Sequence, residues 1–78
     1  MSALTRHDVE TLLLLNALGP EGALPVEVAP RLGLSTSLAA AVGVALASLE
    51  GAGFVSTADG RYVRTEAGSA RLHAYSPE

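Results

Sequence analysis

Apolar residues recur at helical spacing through the first two thirds of the chain and then alternate with polar ones. Thr5 is a natural N-cap, Asp8 three positions on completes an approximate capping box, and Glu10 adds negative charge to the first turns. The helix they open runs through VETLLLLNAL and stops at Gly19-Pro20. A core-facing stripe drawn through Val9, Leu12, Leu13 and Asn16 leaves Leu14, Leu15 and Leu18 on a second face. The first helix is therefore expected to be apolar over more of its circumference than one small core absorbs.

Pro20-Glu21-Gly22 reads as a turn. Leu24 to Gly33 predicts a short second helix, with Pro25 near its first position and Gly33 at its end. A proline inside a helix costs about 3 kcal/mol. The helix is therefore expected to be very short, or to begin late enough for Pro30 to sit in its first turn. Ser35 caps a third helix, with Thr36 and Ser37 in reserve. Leu34, Leu38, Val42, Ala45, Leu46 and Leu49 share one face of it, and Thr36, Ala40, Gly43, Val44 and Ala47 the opposite one. No charged residue stands between Leu34 and Leu49.

That helix stops at Gly51-Ala52-Gly53. Phe54-Val55-Ser56-Thr57 and Arg61-Tyr62-Val63-Arg64 read as strands joined by Ala58-Asp59-Gly60, a hairpin turn. Thr65 caps a last helix that reaches about Tyr75, with Glu66 in its first turn. The expected core is Leu12, Leu13, Leu32, Leu38, Val42, Leu46, Leu49, Phe54, Tyr62, Val63 and Leu72. Residues 1–78 make one small domain, with frayed ends at 1–4 and 76–78.

Composition changes this picture in one respect. Hydrophobic residues are 49% of the chain and charged residues only 17%, although a small domain has proportionally more surface to cover. An apolar excess in so short a chain predicts a subunit or partner interface. The net charge of −3 disfavours electrostatically driven nucleic-acid binding by a lone monomer. The absence of cysteine excludes disulfides and thiolate metal sites. The N-terminal residues carry no secretory signal pattern, and Gly33, Ser35, Thr36, Ser37 and Gly43 interrupt the most apolar stretch. A soluble cytoplasmic protein without membrane contact is expected.

The order helix, short helix, turn, helix, hairpin, helix resembles a small winged helix-turn-helix domain of the α+β class. Leu32-Gly33-Leu34-Ser35 looks like the turn between the motif's helices. Leu46 to Val55, LASLEGAGFV, resembles the close of the recognition helix in MarR-like and PadR-like transcriptional regulators. Asp59 to Gly68, DGRYVRTEAG, looks like their wing and the start of the helix after it. The resemblance covers nearly the whole chain. It departs from the family pattern in a helix about one turn longer, whose outward face carries alanine, glycine and valine. DNA readers carry arginine, lysine, asparagine or glutamine there.

The resemblance implies double-stranded DNA as partner and a homodimeric regulator. Ser35, Thr36 and Ser37 would touch phosphates or thymine methyls, and Arg61 and Arg64 would hold the minor groove or backbone from the wing. Arg31 admits a phosphate contact or a favourable place at a helix C-terminus. The alternative function is a protein-interaction or assembly module that does not bind DNA. Its expected interface is Leu14, Leu15 and Leu18 together with the small-residue face Ala40, Gly43, Val44 and Ala47. His7 and His73 alone make no metal signal, and Ser35-Thr36-Ser37 has no partnered base, so neither metal nor catalysis is expected. So small a chain also predicts no cofactor and no effector pocket.

Overall fold

The first helix, α1 (Arg6–Leu18), begins as its sequence dictates. Thr5 Oγ1 accepts from the Asp8 amide and Asp8 Oδ2 accepts from the Thr5 amide, both at 3.1 Å, closing a reciprocal capping box. The structure is a computed structural model in which residues 4–74 are described. The expected fraying at 1–3 and 76–78, and the helix end near Tyr75, lie outside the described residues. After α1 come α2 (Pro25–Arg31), a 3-10 turn (Thr36–Leu38), α3 (Ala39–Gly51), strands β1 (Val55–Ala58) and β2 (Arg61–Arg64), and α4 (Glu66–Ala74). The architecture is mixed α+β, four helices with a two-stranded antiparallel hairpin.

The inward face of α1 corrects the expectation. Thr11, Leu14, Leu15 and Leu18 are buried, a stripe at i, i+3, i+4 and i+7, while Val9 is 42% and Leu13 52% exposed. Starting the stripe at Val9 placed it on the wrong side because Thr11, a polar residue, is a core position. Leu14, Leu15 and Leu18 are thus the heart of the fold rather than a second face.

Pro25 is the first residue of α2 and Pro30 stands in its last turn, not its first. In seven residues Pro30 forfeits one helical hydrogen bond, and Glu27 Oε1 compensates the start by accepting from the Leu24 amide at 2.9 Å. Two helices end by the same device. After α2, Gly33 (φ 77°) donates to Pro30 O at 3.0 Å and Leu34 to Ala29 O at 2.9 Å. After α3, Gly53 (φ 88°) donates to Glu50 O and Phe54 to Leu49 O, both at 3.0 Å. Each is a Schellman motif, which needs a left-handed residue one position past the cap.

Ser35 is an N-cap as expected, but of the 3-10 turn: its Oγ accepts from the Ser37 amide at 3.2 Å, and α3 proper starts at Ala39. The hairpin pairs Val55 with Arg64 through to Ala58 with Arg61. Its loop is therefore Asp59-Gly60 alone, with φ of 54° and 80°, the two positive values a type I′ turn demands. Tyr62 also pairs with Ala23, so the α1–α2 connection lies along the free edge of β2. Thr65 Oγ1 accepts from the Gly68 amide at 3.1 Å and donates to Gly53 O at 2.7 Å, which caps α4 and ties it to the end of α3.

These elements enclose a core of Leu14, Leu15, Leu18, Ala23, Val28, Ala29, Val42, Leu46, Leu49 and Val55, with Leu32, Phe54 and Tyr62 packed against it. Leu12, Val63 and Leu72 are half-buried, and Leu38, expected in the core, is 44% exposed. Beginning the third helix with a 3-10 turn rotates Leu38 off the line through Val42 and Leu49. Among the described residues no helix is long and apolar enough to cross a membrane.

Candidate functional site

Two surfaces carry the residues singled out by sequence. The first is the outward side of α3, where Ala40, Val44 and Ala47 are exposed, Val44 at 73%. Gly43 is half-buried beneath Pro25, whose Cγ would lie 3.5 Å from an added Cβ. Ser35, Thr36 and Ser37 sit exposed just ahead of this face, and Ser35 Oγ lies 3.0 Å from Ser37 Oγ. No charge interrupts the surface from Ser35 to Ala47.

The second surface is a groove of about 560 Å³ between α1 and the start of α3. Leu14 and Val42 form its floor, and Leu13, Leu34, Leu38, Ala41 and Ala45 its walls. Glu10, Asn16 and Arg31 stand at its rim. Leu13, Leu34 and Leu38 are 52%, 41% and 44% exposed, so the walls are large side chains presented to solvent. The groove was not expected, and its volume falls within the range of small-molecule sites, roughly 300–1,000 Å³. The signal for it lay in Leu34 and Leu38, spaced one turn apart beside a helix with no charges. The interface assigned to Leu14, Leu15 and Leu18 is corrected accordingly: of α1, the exposed apolar residues are Val9 and Leu13.

Three of the arginines, Arg31, Arg61 and Arg71, make side-chain contacts within the molecule. Arg31 donates to Ala17 O at 2.8 Å and to Leu18 O at 3.4 Å, closing the C-terminus of α1 from a neighbouring helix. Arg61 donates to Gly22 O at 3.1 Å and pairs with Glu27 at 3.4 Å, bending back across the sheet edge. Its partner is neither Asp59 nor Glu66, the two acids nearest in sequence. Arg71 pairs with Asp8 at 3.3 Å and lies over the Phe54 ring, 5.4 Å from its centroid. Among the described residues no hydrogen bond or ion pair engages the side chain of Arg64 or Arg6.

The two carboxylates in these contacts are held below the usual range. The Thr5 amide lowers Asp8, helped by the Thr5 hydroxyl and by Arg71, while the Leu24 amide lowers Glu27, helped by Arg61 and Arg31. His7 and His73 are exposed on α1 and α4. Among the described residues no three His, Asp or Glu side chains gather where a metal could sit. Set against protein-family models, curated proteins and solved structures, the chain matches none of them.

Proposed function

We propose that the chain is a winged helix-turn-helix domain used for protein–protein association, with α2 and α3 as the helix-turn-helix and the hairpin as its wing. The element order supports the fold reading, and so does the Ala23–Tyr62 pairing, which adds the α1–α2 connection to the sheet. The functional reading rests on one observation. Apolar surface is exposed along the groove and the outer side of α3, where a DNA reader needs cations and amides. Arg61, the hairpin arginine a DNA complex would use, donates to the Gly22 carbonyl and pairs with Glu27. The reading assigns no catalytic residue, cofactor or small-molecule effector. The groove is open and poor in charge, with Glu10 and Arg31 the only charged lining residues among those described.

The second reading is a small homodimeric transcriptional regulator that grips DNA. It is favoured by the exposed hydroxyls of Ser35, Thr36 and Ser37 at the head of α3, and by Arg64, whose guanidinium has no hydrogen-bond or ion-pair partner among the described residues. Those groups reach phosphates but make no bidentate base contact, worth about 1–3 kcal/mol each. A duplex titration separates the two readings. The association reading expects no binding at tens of micromolar protein in about 50 mM salt. Binding that weakens steeply as salt rises would replace it with the regulator.

A further inference from the structure

We infer that the groove is covered by a second copy of this chain, the two α1 helices crossing antiparallel at Leu13. The inference rests on the association reading and names its partner. Leu13 is the most exposed large apolar residue of α1 and stands on the groove's wall. An antiparallel crossing at that residue makes the contact two-fold, the commonest symmetry of soluble oligomers, and self-complementary. Each Leu13 then enters the other chain's groove between Leu34 and Leu38, whose exposed side chains are the counterpart of a protruding leucine.

The charges at the rim select this partner and this direction. Glu10 lies three residues before Leu13 and Asn16 three after, so the crossing sets Glu10 level with the partner's Asn16. Val9 and Ala17, four residues to either side, are likewise level. Arg31 is fixed on the carbonyl of Ala17 at 2.8 Å, so the partner's Arg31 stands over Val9 and Glu10. Symmetry repeats the pair, giving two Glu10–Arg31 contacts and two Glu10–Asn16 contacts around two buried leucines. A parallel crossing would set Glu10 against Glu10 and Arg31 against Arg31. A stable pair covers about 800 Å² per partner. That is about one sixth of the 4929 Å² of this chain.

Sedimentation equilibrium of the intact chain, from about 10 μM to about 1 mM, provides the test. Wild type is expected to dimerise. Leu13→Glu is expected to weaken the dimer by at least about thirty-fold, the loss of a central anchor. Glu10→Arg and Arg31→Glu should each weaken self-association, because both then set like charges together. Mixed, the two variants restore both attractive pairs and should form a heterodimer. Glu50→Arg makes the same change in net charge as Glu10→Arg at the far end of α3, and should dimerise as wild type. Circular dichroism checks that each variant folds, and Leu13→Glu keeps the test valid if Arg31→Glu does not. A wild-type monomer across the whole range overturns the inference, as does a dimer indifferent to Leu13→Glu. Neither result touches the association reading, which fails only if the duplex titration shows salt-dependent binding.

Discussion

Ala23 and Tyr62 exchange two backbone hydrogen bonds, Ala23 N to Tyr62 O at 3.0 Å and Tyr62 N to Ala23 O at 2.9 Å. Thirty-nine residues apart in sequence, the α1–α2 connection and β2 meet through a single antiparallel bridge. The approach is close because the residue beside Ala23 is a glycine. A Cβ on Gly22 would stand 2.6 Å from Tyr62 O and 2.8 Å from Val63 Cγ2, and its φ is 80°. Gly33 has a similar φ of 77° but nothing within 4 Å of its missing Cβ. Gly33→Ala should therefore cost only the left-handed backbone term, about 1–2 kcal/mol. Gly22→Ala should cost that and the displacement of β2, about 3 kcal/mol or more in total. Thermal melts of the two variants check this, and equal losses would mean that the Gly22 contact does not hold the sheet edge.

The burial of α1 predicts opposite outcomes for two adjacent-looking leucines. Leu15 has no exposure and packs beneath α4, so Leu15→Ala should destabilise by about 2–5 kcal/mol. Leu13→Ala, at 52% exposure, should leave the stability of the isolated monomer within about 0.5 kcal/mol of wild type. Chemical denaturation at low protein concentration distinguishes the two. A large loss at Leu13 and a small one at Leu15 would restore the stripe through Val9, Leu12 and Leu13.

The contrast between those leucines marks where the chain could be read and where it could not. Capping is local, so Thr5 with Asp8, Ser35, Thr65 and the Asp59-Gly60 turn were all visible as short words. So was the sequence of helices and hairpin, since each stop is written in glycine or proline. The orientation of α1 was not. Four consecutive leucines span about 300° of a helix, and a run that wide carries no angular information. The deciding residue was Thr11, whose burial depends on what packs over it. Contacts between distant segments were equally hidden: Arg31 with Ala17, Arg61 with Gly22, and the Ala23–Tyr62 pair. The outer face of α3 was legible because its lack of charge is a property of composition. The groove beside it arises only when α1 and α3 come together.

Acid should loosen the fold through the two capping carboxylates. Asp8 and Glu27 are lowered from ordinary values of 3.8 and 4.5 in the folded chain, by the Thr5 and Leu24 amides above all. A carboxylate with a depressed folded pKa stabilises the fold above its unfolded value, and the contribution disappears as pH falls through the folded value. Stability linked to these groups is thus complete above the pH 4.5 of an ordinary glutamate and declines below it. Asp8→Asn combined with Glu27→Gln should lower the melting temperature near neutral pH and flatten its acid dependence. Melts between about pH 7 and pH 3 provide the check. An unchanged slope in the double variant would assign acid sensitivity to other carboxylates.

Arg61 offers the sharpest separation between a purely structural hairpin and a DNA-binding one. Its guanidinium bridges Gly22 O and Glu27, with side chains 39% and 40% exposed. Exposed pairs are screened by solvent, so Arg61→Ala should cost no more than about 1 kcal/mol. The backbone pairing of Ala23 with Tyr62 remains to hold the hairpin in place. An arginine gripping phosphate would behave otherwise, because its removal weakens duplex binding on every sequence and lowers the salt slope by about one. Arg61→Ala is therefore expected to leave whatever residual duplex affinity the chain has unchanged at every salt concentration. Glu27→Gln should also leave it unchanged, since freeing Arg61 matters only if that arginine has a phosphate to reach. A duplex that binds the Arg61→Ala variant more weakly and the Glu27→Gln variant more tightly would mean that this hairpin arginine leaves Gly22 in use, and the association reading would give way to the regulator.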